Sequence, residues 1–246
     1  MFKDYFKRLK DLMEAVEKDE EDNIKKAANV VADCIQRDGL VHVFGCGHSH
    51  MIAEELFYRA GGLVPINPIL IEELMLHRGA VRSSVLEKTN DFAETFIATS
   101  KIKPGDVVIV VSTSGRNPVP IDVAEFSKKQ GATVIAITSP SYAKSQPSRH
   151  KSGKHLYHSV DISIDNHIEI GDALMQETSS SISYGSGSTI ISMAIANGIV
   201  VEAVKIMLGN NFSPPIFKSG NIDGSEEYNK ILIKKYKDRI PMLESE

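Results

Sequence analysis

Apolar residues along this chain follow two rhythms. Phe2, Tyr5, Phe6, Leu9, Leu12, Met13 and Val16 recur at three- and four-residue steps, and 24–35 repeats the pattern less cleanly. That spacing places one buried stripe on an α-helix, so two helices are predicted ahead of residue 40. Beyond it the rhythm changes to short continuous runs: LVHVFG at 40–45, VPINPILI at 64–71, VVIVVS at 107–112, TVIAITS at 133–139 and VDISID at 160–165. Runs rich in Val and Ile belong to strands covered on both faces, and the segments between them are mostly helical in pattern. The expectation is an α/β protein with five parallel strands, doubly wound.

Composition narrows the class. The 246 residues, 42% of them hydrophobic, suffice for one large α/β domain or two small ones. No repeat, low-complexity tract or linker long enough to separate a pair of domains is visible, so 1–39 is read as a helical segment packed on a domain at 40–208, followed by a tail at 209–246. A net charge of -4 and a pI near 6.1 give no basic surface for wrapping nucleic acid. Cys34 and Cys46 stand outside any C-x-x-C spacing, which suggests neither a disulfide framework nor a cysteine zinc site and fits a reducing cytoplasm. The N-terminus scatters charges among its apolar residues, unlike a signal peptide. The longest charge-free run, 178–201, opens on TSSSISYGSGST, too polar to span a bilayer.

Three loops carry candidate chemistry. In VVSTSGRNP, a strand-like run stops at Ser112, Thr113, Ser114, Gly115 and Arg116, while Asn117 and Pro118 suit the N-cap and first position of a helix through Lys129. A loop that ends at a helix N-terminus offers free N–H groups, the positive end of a dipole and hydroxyl donors to an anion. The same residue types also make an ordinary strand-to-helix turn, and composition alone does not choose. GSGST at 185–189, with Ser186, Ser188 and Thr189, precedes an apolar helix over 190–208, and GCGHSH at 45–50, with Gly47, His48 and Ser49, follows the first strand. In an open parallel sheet such loops meet where strand order reverses. All three are expected to converge on one polyhydroxylated phosphate ester.

FGCGHSHMIAEEL, VVSTSGRNPVPIDVAEFSKKQGATVIAITS and GSGST before an apolar helix together resemble the SIS (sugar isomerase) domain family over roughly 40–208. GDALMQ and the tail PPIFKSGNIDGSEEYNKILIKKYKDRIP are similar to a single-SIS-domain bacterial family labelled phosphoheptose isomerase. The resemblance implies a flavodoxin-like three-layer αβα fold and a phosphorylated sugar or amino sugar as ligand. It also implies a phosphate held by Ser112, Thr113, Ser114 and Thr189, with Gly47 and Ser49 close to the sugar.

Proton transfer between sugar carbons needs a base and often an acid, commonly Glu and His. AEEL at 53–56 resembles the phosphoheptose isomerase segment that carries the glutamate base, which implies Glu55 (beside Glu54) after a gap of about one helical turn. The histidine acid of those isomerases lies on the helix after the third loop, where TIISMAIANGIV has none. The resemblance to N-acetylmuramic acid 6-phosphate etherases places their glutamate near Arg59. The segment ELMLHRGAVRSSVLEK supplies alternatives beside the switch point: Glu73, His77, Arg78, Ser83, Ser84 and Glu87, with His77 favoured and Glu87 also a catalytic candidate. His167 and Glu169 are weaker candidates. The pair in HSH points in different directions from a helix start, so no metal is expected, and His48 reads as a binding-loop residue. His50 stands where a dinucleotide fingerprint needs its third glycine, so no NAD is expected and no other cofactor is implied. Two function classes follow: a sugar-phosphate isomerase or related proton-abstracting enzyme, and a non-catalytic phosphosugar sensor working through a protein partner.

Two segments remain. The polar, basic stretch 140–158 is either a solvated loop or a lid over an anionic ligand. In the tail, Ile216 and Phe217 follow the Pro214-Pro215 pair with no sheet position left for them, so they should pack on something. The resemblance implies a homodimer or larger homo-oligomer with sugar sites near the subunit boundary, so the tail, with Asn221 and Glu227, is expected to reach a neighbouring subunit close to its sugar site; the alternative is packing on its own domain.

Overall fold

The computed structural model describes residues 1–177 and 181–244. The two leading stripes form α1 (Phe2–Asp19) and α2 (Glu21–Gln36), and the continuous runs form β1 (Val41–Gly45), β2 (Ile66–Ile69), β3 (Val107–Val111), β4 (Thr133–Thr138) and β5 (Ile162–Asp165). These five strands make one parallel sheet in the order β2-β1-β3-β4-β5. β2 is shorter than its run at 64–71. It lies at the sheet edge, where Pro68 has no ladder bond to donate, and Val64 pairs elsewhere: its N–H donates to the Pro215 carbonyl at 2.8 Å.

Alternation along the strands builds two cores. Val41, Val43, Val107, Ile109 and Val111 face one way, against α1, α2, α3 (Met51–Leu56) and α7 (Ser188–Gly209). Phe44, Val108, Val110, Val134 and Ala136 face the other way, against α5 (Pro118–Lys129) and residues 93–97, with α4 (Ala80–Glu87) beside them. Period-two side chains on strands buried on both faces produce this division. Helix α7 is long and apolar enough to cross a membrane by length and composition. Here its Ile191, Ile195, Ile199, Ala203 and Met207 are buried in the first core.

Beyond the sheet, α6 (Pro140–Lys144) follows β4, and α8 (Ser225–Tyr236) lies in the tail. A short antiparallel hairpin, β6 (Met175–Gln176) with β7 (Ser183–Tyr184), precedes α7. Two-residue strands leave no periodicity to read, so the strand that leads into the third loop belongs to this hairpin and is not one of the five expected strands.

The tail corrects a second expectation. Gly61 N–H donates to the Phe217 carbonyl at 2.9 Å, and Phe217 N–H to Gly62 at 3.0 Å. Phe217, Tyr236, Ile240 and Leu243 then bury against Leu40 and Val64 as a third core. Ile216 and Phe217 thus have a place on their own domain, and the motive for a tail that crosses to a neighbour falls away. Asn221 and Glu227 are exposed.

Arg239 fastens this tail beneath the sheet. Its guanidinium lies 2.6 Å from buried Asp106, which also accepts from Leu40 N–H (2.9 Å), Lys103 N–H (2.8 Å) and His42 Nε2 (3.2 Å). His42 in turn meets Asn67 at 2.9 Å. Burial opposes ionisation of Asp106, but the bonds from His42, Leu40, Arg239 and Lys103 outweigh it and hold the carboxyl well below the usual carboxylate range. A carboxyl depressed by folding stabilises above its unfolded pKa, about 4, and loses that contribution as pH falls toward its folded value. Asp106→Asn is therefore expected to lower the urea midpoint at pH 7 and to flatten the loss of stability below about pH 4. An unchanged acid limb would show that Asp106 does not carry it.

Candidate functional site

Strand order reverses between β1 and β3, so the carboxyl ends of these neighbours open into one crevice. The loop after β3 is organised by its carbonyls. Thr113 C=O accepts from Ser139 N–H at 2.9 Å, Gly115 C=O from Leu156 N–H at 2.8 Å, and Arg116 C=O from Arg149 N–H at 2.9 Å. Among the described residues, by contrast, no acceptor pairs with the N–H groups of 113–117. Gly115 permits this turn: its φ is +56°, and a Cβ there would come within 2.7 Å of Thr138 Oγ1. Successive unpaired N–H groups in such a turn form an anion-binding concavity. The hydroxyls of Ser112 and Ser114 are likewise without a protein partner among the described residues.

The loop after β1 is a tight 3-10 turn, Gly47–His50, with Gly47 at φ +54°. Gly45 is needed because a Cβ would meet the Ser49 backbone at 2.5 Å. Ser49 is half-buried and His48 exposed. His50 bonds the Gly47 carbonyl through Nδ1 and lies 3.5 Å from Glu54 through Nε2, so the two histidines of HSH serve different ends.

The third loop differs from its sequence reading. Asp172 accepts from the N–H groups of Gly187 and Ser188, each at 2.9 Å, and from Ser188 Oγ at 2.6 Å. The N-terminus of α7 already holds an anion, its own aspartate. Ser188 is committed to it, whereas Thr189 and Ser186 keep unpaired hydroxyls among the described residues. Asn166, fully buried at the end of β5, joins this region to the β3 loop through Nδ2: 3.1 Å to Thr113 Oγ1 and 3.3 Å to Ser192 Oγ.

Of the acid–base candidates, Glu87 reaches the crevice. Its Oε1 accepts from Asn117 Nδ2 at 2.9 Å, and Asn117 Oδ1 accepts from Arg149 Nη1 at 2.8 Å. Asn117 stands at the N-cap position of α5, as its sequence suggested, but directs its side chain to this relay and not to the helix. Burial pushes the Glu87 carboxyl up, against the opposing pull of Asn117, Lys88 and Arg149. Burial, and then Glu87, push the Cys46 thiol up, which sets Glu87 beside the glycine loop as well.

The remaining candidates lie elsewhere. Glu55 faces α7, paired with Arg59 and accepting from Asn197 Nδ2 at 3.1 Å. His77 is exposed, on the 3-10 turn Leu76–Arg78. Ser83 is a buried structural donor to Leu74 C=O at 2.7 Å. Arg78 pairs with Glu72, and Glu73 and Ser84 are exposed. Glu169 pairs with Arg8 at 3.4 Å, and His167 lies 3.9 Å from Asp19, so both turn toward α1. Arg116 sends Nε and Nη2 to Pro147 C=O at 3.1 and 2.8 Å.

Sequence reasoning missed Asn166, Asp172 and Arg149. Asn166 was findable as the first polar residue after a strand, and Asp172 stands in the GDALMQ string that supports the family resemblance. Arg149 lies within the basic stretch 140–158, but nothing local marks it out from its neighbours.

The SIS domain model matches residues 4–139. This chain belongs to the SIS-domain family. The match includes both N-terminal helices, in keeping with their place in the first core. The chain is 52% identical over 243 residues to a UPF0309 protein of Halalkalibacterium halodurans, covering 99% of this chain and 97% of that one. A UPF0309 protein of Geobacillus kaustophilus is 54% identical at the same coverage. Among solved structures, a phosphoheptose isomerase from Francisella tularensis superposes with a TM-score of 0.57 at 15% identity, covering 83% of this chain and 96% of that one. One from Neisseria gonorrhoeae gives 0.54 at 15%, covering 80% and 93%. These neighbours share the fold.

A carboxyl raised by folding favours the native state below its unfolded pKa and loses that contribution as pH rises through the folded value. Glu87→Gln, which keeps an acceptor for Asn117, is therefore expected to match the parent near pH 4 and to exceed it in thermal stability at pH 8. Parallel stability profiles from pH 4 to 8 would contradict the raised carboxyl.

Proposed function

We propose that this SIS-domain protein binds a phosphorylated sugar or amino sugar across the carboxyl ends of β1 and β3, with the phosphate in the loop 112–117. The unpaired N–H groups of 113–117 carry this reading. They face no protein acceptor, Ser112 and Ser114 add hydroxyls, and their carbonyl partners hold the turn in place. In this reading Gly47, His48 and Ser49 border the sugar from the β1 side, and Ser186 and Thr189 close it from α7. Ser188 stays with Asp172.

The reaction that suits the crevice is aldose–ketose isomerisation or a related proton abstraction. Glu87 is its proton carrier: as carboxylate it takes the C2 proton, and as acid it returns that proton to C1 while the hydroxyl and carbonyl exchange. A carboxyl pushed up by burial is a better base than a solvated one. Glu55 and His77 are less suited, the first held by Arg59 and Asn197, the second exposed. The absence of a histidine from the start of α7 favours a second reading, a phosphosugar sensor that binds without turnover.

Ser114→Ala is expected to weaken phosphosugar binding by roughly 1 to 2 kcal/mol, the loss usual for a hydrogen bond to a charged group. Ser188→Ala should instead lower stability, by about 1 kcal/mol as for a lost helix cap, with affinity nearly intact. Calorimetry and thermal unfolding separate the two, and reversed effects would move the phosphate to α7. Glu87→Gln should cost a hundredfold or more in turnover, the low end for a general base. Binding that is sensitive to Ser114→Ala, without turnover of any sugar phosphate, would make the protein a sensor.

A second copy of the chain fits the apolar face of α1 and α7. Met13, Ile190, Val201 and Leu208 are exposed there, Val201 at 68%, and a groove of about 280 Å³ runs beside them between Val16, Ile24, Ile191 and Ile195. Val201→Glu should convert a dimer to monomer in light scattering. A variant of unchanged mass would place the interface elsewhere.

A further inference from the structure

Within the stretch 140–158, residues 147–156 form a strap bolted across the start of α5. Lys151 N–H donates to Asn90 Oδ1 at 2.8 Å, Asn90 Nδ2 to Arg149 C=O at 3.3 Å, and His150 Nε2, on a nearly buried ring, meets Asp122 at 2.8 Å. At the other end, Arg149 and Leu156 N–H groups hold the β3 loop carbonyls. The strap thereby sets Arg149 beside Arg116. Arg116 reaches into the strap at Pro147 C=O, and Arg149 reaches back to Asn117 Oδ1 at 2.8 Å.

Their partners are neutral. Among the described residues neither guanidinium forms an ion pair, in a chain whose 32 acidic residues outnumber its 28 Lys and Arg. The acidic group facing them is Glu87, reached through Asn117. A guanidinium has five N–H donors. Arg116 commits two of them to Pro147 and Arg149 one to Asn117, so both retain forks for an oxyanion. Two adjacent cations repel each other and leave a strong attraction for negative charge between them.

Resting on the phosphate-loop reading above, we infer that the ligand carries a second anionic group, a phosphate or a carboxylate, held between Arg116 and Arg149. The Cα atoms of Ser114 and Arg116 are at most about 7 Å apart, and the Arg116 side chain sets its guanidinium farther out. That span suits a five- to seven-carbon sugar with anions at or near its two ends. Phosphate binds in the backbone concavity, and the second anion completes the guanidinium pair. The ligand class is thus a sugar bisphosphate or a phosphorylated sugar acid, not a simple monophosphate.

Titration calorimetry on the full chain tests this with three panels of five- to seven-carbon compounds: sugar monophosphates, sugar bisphosphates and phosphorylated aldonic acids. The tightest doubly anionic compound is expected to bind at least tenfold more tightly than its monophosphate counterpart. Which panel holds it identifies the second group. Arg149→Gln, at an exposed position, should reduce that ratio to within twofold, and Arg149→Lys should restore some of it. Equal affinities for the parent protein, or a ratio that survives Arg149→Gln, would overturn the second anion. Monophosphate binding that is weakened in Ser114→Ala, with no preference for a second charge, leaves the phosphate loop standing and refutes this inference alone. Binding of none of the three panels refutes both.

Discussion

One-sided satisfaction of the β3 loop is the constraint on which the rest of the crevice depends. Its carbonyls at Thr113, Gly115 and Arg116 are bound by N–H groups from the end of β4 and from the strap. A backbone whose carbonyls are anchored on one side presents its N–H groups on the other, and Gly115, at φ +56°, is the residue that lets the chain turn so. The strap, Asn117 and the Glu87 carboxyl are all registered against that turn. Displacing it would shift the proposed anion site, the relay and the proposed base together.

The fold was legible because its signals are periodic. Continuous Val and Ile runs marked every strand of the main sheet, and Asn117-Pro118 located the start of α5 to the residue. The hairpin before α7 was not legible, since two residues per strand leave no period. In the candidate site, the loops 45–50 and 112–117 were suggested by composition and position. The placement of Glu87 was less so, because its burial and its bond to Asn117 come from α4 packing beside α5, a contact thirty positions apart in the chain. Glu55 and His77 fit local patterns just as well; α3's packing against α7 turns the first away, and exposure leaves the second alone. The tail misled for a different reason. Ile216 and Phe217 looked unplaced because their partner is the backbone of 61–64, which no side-chain pattern announces.

Polar groups divide between the two ends of the sheet by purpose. At the amino end, Asp106, His42, Asn67 and Arg239 satisfy one another and bind the tail to the domain. A buried carboxylate so fully bonded is held ionised and has nothing to offer a ligand. At the carboxyl end the pairing is incomplete: unpaired N–H groups, unpaired hydroxyls, and guanidiniums on neutral acceptors. Buried or half-buried polar groups left open carry a cost, and a ligand that completes them recovers it.

The contrast between α7 and α5 explains why the proposed phosphate site falls on one loop and not the other. Both helices point their N-termini at the crevice, and either dipole attracts an anion. In α7 the chain supplies that anion itself, for Asp172 takes two N–H groups and the Ser188 hydroxyl. A phosphate placed there would have to displace a carboxylate or sit beside it. In α5, Pro118 and Pro120 remove two donors from the first turn, and Asn117 turns its side chain to Glu87 and Arg149, so no internal carboxylate occupies the helix start. The donors move one step back, into residues 113–117, where the chain provides no acceptor of its own.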